Sequence, residues 1–309
     1  MGSIIQPSEN AGAAAARGRM VTALKVLFAT DGSDSALQAQ KLVASIPWPT
    51  GTKLLVLQVL PPFGLGTTAG DEERRQAVDR MLDASRKALA ADQRVVDSVV
   101  KMGRPASTIV DDARALEADL VVLGSRGRGA VASAVLGSVA AEVVDYAPCP
   151  VLVARSARLT GVVLAHDGSP GASQAEAILL KLSFLRSIPI RVVSAWNVPL
   201  TQVADPTGAS VISGDLYDEL IRDARRYATT VAVDATARLK SAGRTATAEV
   251  AEGSPADAIS SSAGPTDLIV MGTRGQTGLA RLLLGSVARG VLYRAHSSVL
   301  FVPQVVARP

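Results

Sequence analysis

The chain has 309 residues, 48% hydrophobic and 3% aromatic, with a formal net charge of +4. That length has room for about two ordinary domains, and no apolar run approaches the roughly 18–20 residues of a membrane span. The few aromatics are not interleaved with a Lys/Arg tract, so neither a stacking platform for nucleic acid nor a membrane anchor is expected.

Residues 1–20 are rich in Ala and Gly, with Arg17 and Arg19 at their end. A secretory leader has the opposite order, charge first and apolar centre afterwards. The stretch reads as a disordered tail and the location as cytoplasmic. Residues 25–29 form a buried-strand pattern, and 35–46 a helix with Ala36, Leu37, Ala39, Gln40 and Val43 on one face. A second strand at 53–59 leads into a Gly/Thr loop at 61–70. Residues 72–91 read as a charged amphipathic helix with Val78, Met81, Leu82 and Leu89 on one side. A strand at 94–100 and a helix at 105–116 with Pro in its first turn follow. Then come a strand at 120–123, a helix at 138–146 and a strand at 151–154. Cys149, the single cysteine, stands between Pro148 and Pro150. It rules out an intrachain disulfide and reads as a small buried side chain, with a redox sensor as the alternative. His166 and His296 lie in different surroundings, and no His/Cys cluster has metal-ligand spacing.

The chain then repeats itself. Val26-Leu27-Phe28-Ala29-Thr30-Asp31-Gly32-Ser33 returns as Val162-Val163-Leu164-Ala165-His166-Asp167-Gly168-Ser169. Gly103-Arg104-Pro105-Ala106 returns as Gly253-Ser254-Pro255-Ala256. Asp119-Leu120-Val121-Val122-Leu123 leads into Gly124-Ser125-Arg126-Gly127, nine further residues and Gly137-Ser138. Asp267-Leu268-Ile269-Val270-Met271 leads into Gly272-Thr273-Arg274-Gly275, again nine residues and Gly285-Ser286. The extra length of the second half lies mainly in a polar loop at 199–214, before a helix at 216–240. The expected organisation is a tail (1–20), one domain at 21–155 and another at 156–309, held close by a short link at 155–160.

Alternating strands and helices imply an open parallel sheet covered on both faces. Such sheets bind ligands beyond the carboxyl ends of the strands, where strand order reverses. Asp31 ends the first strand and Gly124 the fourth, so the two point into one crevice if those strands are neighbours. Gly124, Gly127 and Gly137 would let backbone approach a polyphosphate, Ser138 would open a helix beneath it, and Arg126 would add charge. Asp31 would accept from ribose hydroxyls, and Val59 would offer a wall to a base. Gly272, Gly275, Gly285, Ser286, Arg274, Asp167 and Trp196 would take those roles in the second half. The plainer readings are that Asp31 and Asp167 cap helices, that Trp196 fills core, and that Arg126 and Arg274 are solvated. No Lys precedes Ser138 or Ser286, so the stretch is not a Walker loop.

At these residues the chain resembles the universal stress protein family in its tandem two-domain form, over about 22–155 and 160–304. The resemblance rests on Gly-x-x-Gly, nine residues and Gly-Ser in both halves, the strand-one Asp, and Gly-x-Pro before the third helix. It implies two Rossmann-like domains, each a five-stranded parallel sheet of order 3-2-1-4-5, whose last strands pair as an internal pseudo-dimer; a homodimer is left open. It implies ATP, with Mg²⁺ as an optional companion, near Ala29, Asp31, Val59, Leu123, Gly124, Arg126, Gly127, Gly137, Ser138 and Val139. The second site would use Ala165, Asp167, Trp196, Met271, Gly272, Arg274, Gly275, Gly285, Ser286 and Val287. Trp196 is taken as the counterpart of Val59, so the sites are expected to differ in affinity. The expected activity is binding with little or no hydrolysis, in a stress-response or regulatory role, because the motif supplies no positioned base. The alternatives are an AMP-forming ATP pyrophosphatase, suggested by Asp31-Gly32-Ser33-Asp34-Ser35, and an interaction module indifferent to nucleotide.

Overall fold

The computed structural model describes residues 23–61, 69–90, 94–127, 136–198, 214–275 and 284–304. The tail expected at 1–20, most of the loops expected at 61–70 and 199–214, and most of the nine-residue segments inside both glycine motifs lie outside them.

Ten described strands join in a single sheet. They are β1 (Lys25–Ala29), β2 (Lys53–Leu60), β3 (Val95–Met102), β4 (Leu120–Gly124), β5 (Val151–Ala154), β6 (Gly161–Ala165), β7 (Ile190–Trp196), β8 (Ala246–Glu252), β9 (Asp267–Gly272) and β10 (Ser298–Val302). Their order is β3-β2-β1-β4-β5-β10-β9-β6-β7-β8. Each half therefore has the expected order 3-2-1-4-5 and is parallel throughout, and the halves meet through antiparallel β5 and β10. The central strands are continuous apolar runs because both of their faces are covered.

The helices are α1 (Asp34–Ser45), α2 (Ala69–Leu89), α3 (Pro105–Leu116), α4 (Ser138–Tyr146), α5 (Pro170–Lys181), α6 (Gly214–Ser241), α7 (Pro255–Ser262) and α8 (Ser286–Arg294). Local chemistry sets their starts. The Ser33 hydroxyl accepts from Ala36 N–H and the Ser169 hydroxyl from Ala172 N–H, while α3, α5 and α7 open on Pro. The caps are thus Ser33 and Ser169, not Asp31 and Asp167. On α1 the buried residues are Ala36, Ala39, Leu42 and Val43; Leu37, expected on that face, is exposed. Part of the extra length expected in the loop at 199–214 is helix, since α6 has 28 residues and α2 has 21.

Two apolar cores run through both halves. One, beneath α3, α4, α7 and α8, contains Val121, Val143, Leu292 and Phe301. The other, beneath α1, α2, α5 and α6, contains Leu42, Leu89, Leu179 and Leu239. At the seam, Leu152 of β5 faces Leu300 of β10. Trp48 and Phe184, which follow the first helix of their respective halves, meet with ring centroids 5.0 Å apart. Matching residues meeting across an antiparallel pair is the signature of a two-fold contact, here made within one chain. Arg155 in the link donates to the carbonyls of Leu292 (2.6 Å) and Ser297 (3.2 Å) at the end of α8. No helix among the described residues is long and apolar enough to cross a membrane.

Candidate functional site

β1 pairs with β2 on one side and β4 on the other, so the order of strand addition reverses at β1, and a crevice opens beyond its carboxyl end. A cavity of about 560 Å³ lies there, within the range of small-molecule sites. Ala29, Asp31, Val59, Leu123, Gly124, Arg126, Gly127, Gly137, Ser138 and Val139 all line it. In the second half a cavity of about 620 Å³ is lined by Ala165, Asp167, Trp196, Met271, Gly272, Arg274, Gly275, Gly285, Ser286 and Val287. Every residue named for the two nucleotide sites thus lines one of two crevices.

The two ends of each motif are tied together. Gly137 N–H donates to Ser125 O at 2.7 Å, and Gly285 N–H donates to Thr273 O at 2.8 Å. This brings the starts of α4 and α8 beside the turns that leave β4 and β9. Gly137 and Gly285 are the N-caps, and neither helix has a side-chain cap. Their first N–H groups therefore lack the partner that Ser33 and Ser169 give α1 and α5.

The glycines divide by function. A Cβ on Gly124 would stand 2.7 Å from the Ser35 backbone, and one on Gly272 would stand 2.6 Å from that of Gly171. At these two positions glycine is required by close packing against α1 and α5. A Cβ on Gly127 would stand 2.8 Å from Asp31 Oδ2, and one on Gly275 2.7 Å from Asp167 Oδ2. These glycines keep the crevice open beside the carboxylates. The other oxygen of each Asp accepts from a backbone N–H, that of Ser33 or Ser169, at 3.0 Å.

Register corrects the reading of Trp196. Thr30 N–H donates to Leu57 O and Gly103 N–H to Leu60 O; His166 N–H donates to Val193 O and Gly253 N–H to Trp196 O. Trp196 therefore matches Leu60, and Val59 matches Ala195. The second cavity has a smaller residue on the wall assigned to the base and a larger one at the strand's end.

One polar group at the second cavity is absent from the residues singled out above. His166, where the first half has Thr30, is 4% exposed. Its Nδ1 accepts from Gly168 N–H at 3.2 Å, so Nε2 carries the hydrogen, and Nε2 stands 3.3 Å from Glu176 Oε2. Arg238 of α6 grips the same carboxylate through two bonds of 3.0 and 2.7 Å. Desolvation pushes the Glu176 pKa up, but the contacts with His166 and Arg238 outweigh it and hold the pKa at about 2. Tyr227 of α6 also lines this cavity and donates to Asp167 O at 3.3 Å. The exchange of Thr30 for His166 between repeats was the one visible signal; Glu176 and Arg238 join it only through helix packing.

A model of the universal stress protein family matches residues 23–155 and again 160–303. A universal stress protein of Mycobacterium tuberculosis is 31% identical over 268 residues, covering 80% of this chain and 82% of that protein. A shorter one from Thermus aquaticus is 36% identical over 135 residues, covering 42% of this chain and 97% of that protein. The crystal structure of a universal stress protein from Archaeoglobus fulgidus superposes with a TM-score of 0.62 at 17% identity, covering 91% of this chain and 98% of the other. That last likeness bears on the fold alone.

Proposed function

Since the chain belongs to the universal stress protein family, we propose that it binds one adenine nucleotide, ATP, in each cavity and acts as a regulatory protein with little or no turnover. The observation that supports this most is the twofold convergence, beyond β1 and β6, of a glycine-opened turn, an uncapped helix start and an Asp carboxylate. The residues present fit the ligand. The N–H groups at Ser138 and Ser286 suit phosphate oxygens, with Arg126 and Arg274 adding charge. Asp31 and Asp167 suit ribose hydroxyls, and Ala29 with Val59, or Ala165 with Ala195, suits the base.

Among the described residues no group of three or more His, Cys, Asp or Glu could hold a metal. Mg²⁺ in this reading arrives on the phosphates, with the Ser138 or Ser286 hydroxyl as an added oxygen. Slow turnover follows from the side chains at hand. Asp31 is the one carboxylate among the described residues lining the first cavity, and it already accepts from Ser33 N–H. In the second, both nitrogens of His166 face protein groups, so neither is poised to activate water. The reading includes a cytoplasmic location.

An AMP-forming enzyme is less well supported. Ser33 Oγ caps α1 and donates to Arg126 O, and Ser35 Oγ accepts from Arg126 N–H, so both hydroxyls serve the fold. The test is to purify the protein without added nucleotide, denature it, and identify and count the released nucleotide per chain. Close to two ATP per chain is expected, together with a rise in Tm on adding ATP. A ligand at 100 times its Kd contributes about 2.7 kcal/mol to stability. No nucleotide and no shift would leave an interaction module as the better description.

A further inference from the structure

The backbone leading into α8, beside the second cavity, is held by both halves. Asp145, on the last turn of α4 in the first half, accepts from the backbone N–H of Leu284 at 3.2 Å. Leu284 is 8% exposed and immediately precedes Gly285, the N-cap of α8. The carboxylate thus anchors the backbone two residues before Ser286, the first residue of α8. Its position in α8 is taken by Tyr293, which is 48% exposed and carries no carboxylate, so this contact is not reproduced in the opposite direction.

α4 connects the two places. Ser138 at its start lines the first cavity, and Asp145 lies seven residues on, about 10 Å along the axis. The helix is packed between them: Ala140, Val143 and Val144 share one buried core with Leu284, Val291 and Leu292. We propose that Asp145 is a positioning residue for the second ligand site: the first half holds the Leu284–Ser286 backbone in its binding geometry, and α4 couples the two cavities. A ligand that shifts the start of α4 moves the acceptor for Leu284 N–H, and linkage makes the coupling reciprocal.

The inference rests on nucleotide binding in the second cavity, so the experiment has one arm that needs no ligand. In the ligand-free full chain, amide hydrogen exchange at Leu284 is compared among wild type, Asp145→Ala and Asp145→Asn. A hydrogen bond to a charged group corresponds to about a tenfold change in a local equilibrium. Asp145→Ala is expected to speed exchange at Leu284 by about that factor. Asp145→Asn, which keeps an acceptor oxygen, should restore most of the protection. Unchanged exchange in Asp145→Ala overturns the proposal. In the second arm the same variants carry Trp48→Phe, leaving Trp196 as the sole tryptophan and a reporter of the second cavity during ATP titration. Asp145→Ala should weaken the Trp196-reported site by about tenfold, and Asp145→Asn should recover it. Equal affinities in all three chains overturn the proposal even if exchange responds. If wild type itself binds no ATP, the nucleotide reading falls, and the exchange arm alone then decides whether Asp145 holds this backbone.

Discussion

Glu176 ties the stability of the fold to acid pH. It is 6% exposed, and its pKa of about 2 lies below the ordinary value of 4.5. Folding therefore favours the carboxylate. The stabilisation is complete above pH 4.5 and is lost as pH falls from there through 2. Glu176→Gln should lower stability at neutral pH by about 1–3 kcal/mol and flatten the acid limb of a stability profile measured by urea unfolding. An acid limb as steep as wild type would mean that other carboxylates dominate it. Cys149 has the opposite sign. Burial, then the negative charge of Asp119, push its thiol up to about 12 from 9.0. The native thiol stays protonated where an unfolded one ionises, so this contribution fades as pH rises above 9.0 toward 12. At pH 8 a thiol reagent should leave the native protein unlabelled and label the urea-unfolded chain at once. Rapid native labelling would instead favour the redox-sensor alternative.

Among the elements, the turns after β4 and β9 show how far the sequence could be read. The strands were legible because a parallel strand buried on both faces is a continuous apolar run, and each signal came twice. Crevice residues such as Asp31 and Gly127 were legible because strand ends and glycine turns are local features. What failed depended on register and packing. Trp196 was matched to Val59 by its place near the end of an apolar run, whereas interstrand hydrogen bonds pair it with Leu60. The packing demand on Gly124 was equally hidden, because a sequence does not show that α1 passes against it. The distinction has a direct test. Gly124→Ala drives a Cβ into the Ser35 backbone, an overpacking that costs about 1–3 kcal/mol. A Cβ on Gly137 meets nothing nearer than 3.4 Å, so Gly137→Ala should cost only about 0.5–1 kcal/mol, the loss of Gly for Ala at an N-cap. Urea unfolding of the two variants compares them; equal losses would remove the case for a packing role at Gly124.

For the whole molecule, the seam decides whether two repeats behave as two domains or as one body. Repeats joined by a free tether melt independently, whereas those sharing a core melt together. Here the sheet passes from β5 into β10 without a break, and both apolar cores contain residues of both halves. Arg155 is half-buried against the end of α8, where desolvation, with Arg126 nearby, lowers its guanidinium pKa to about 10. Separating the halves would strip the β5 edge of its partner, expose Val151, Leu152 and Val153, and open the Trp48–Phe184 contact. Calorimetry should therefore record one transition whose van't Hoff and calorimetric enthalpies agree. Phe184 is 7% exposed, so Phe184→Ala should remove about 3–5 kcal/mol. Because the seam belongs to both halves, that loss should lower the single transition as a unit. Two resolved transitions in wild type, or a variant in which only the second half melts early, would show that the shared sheet does not bind the repeats into one cooperative fold.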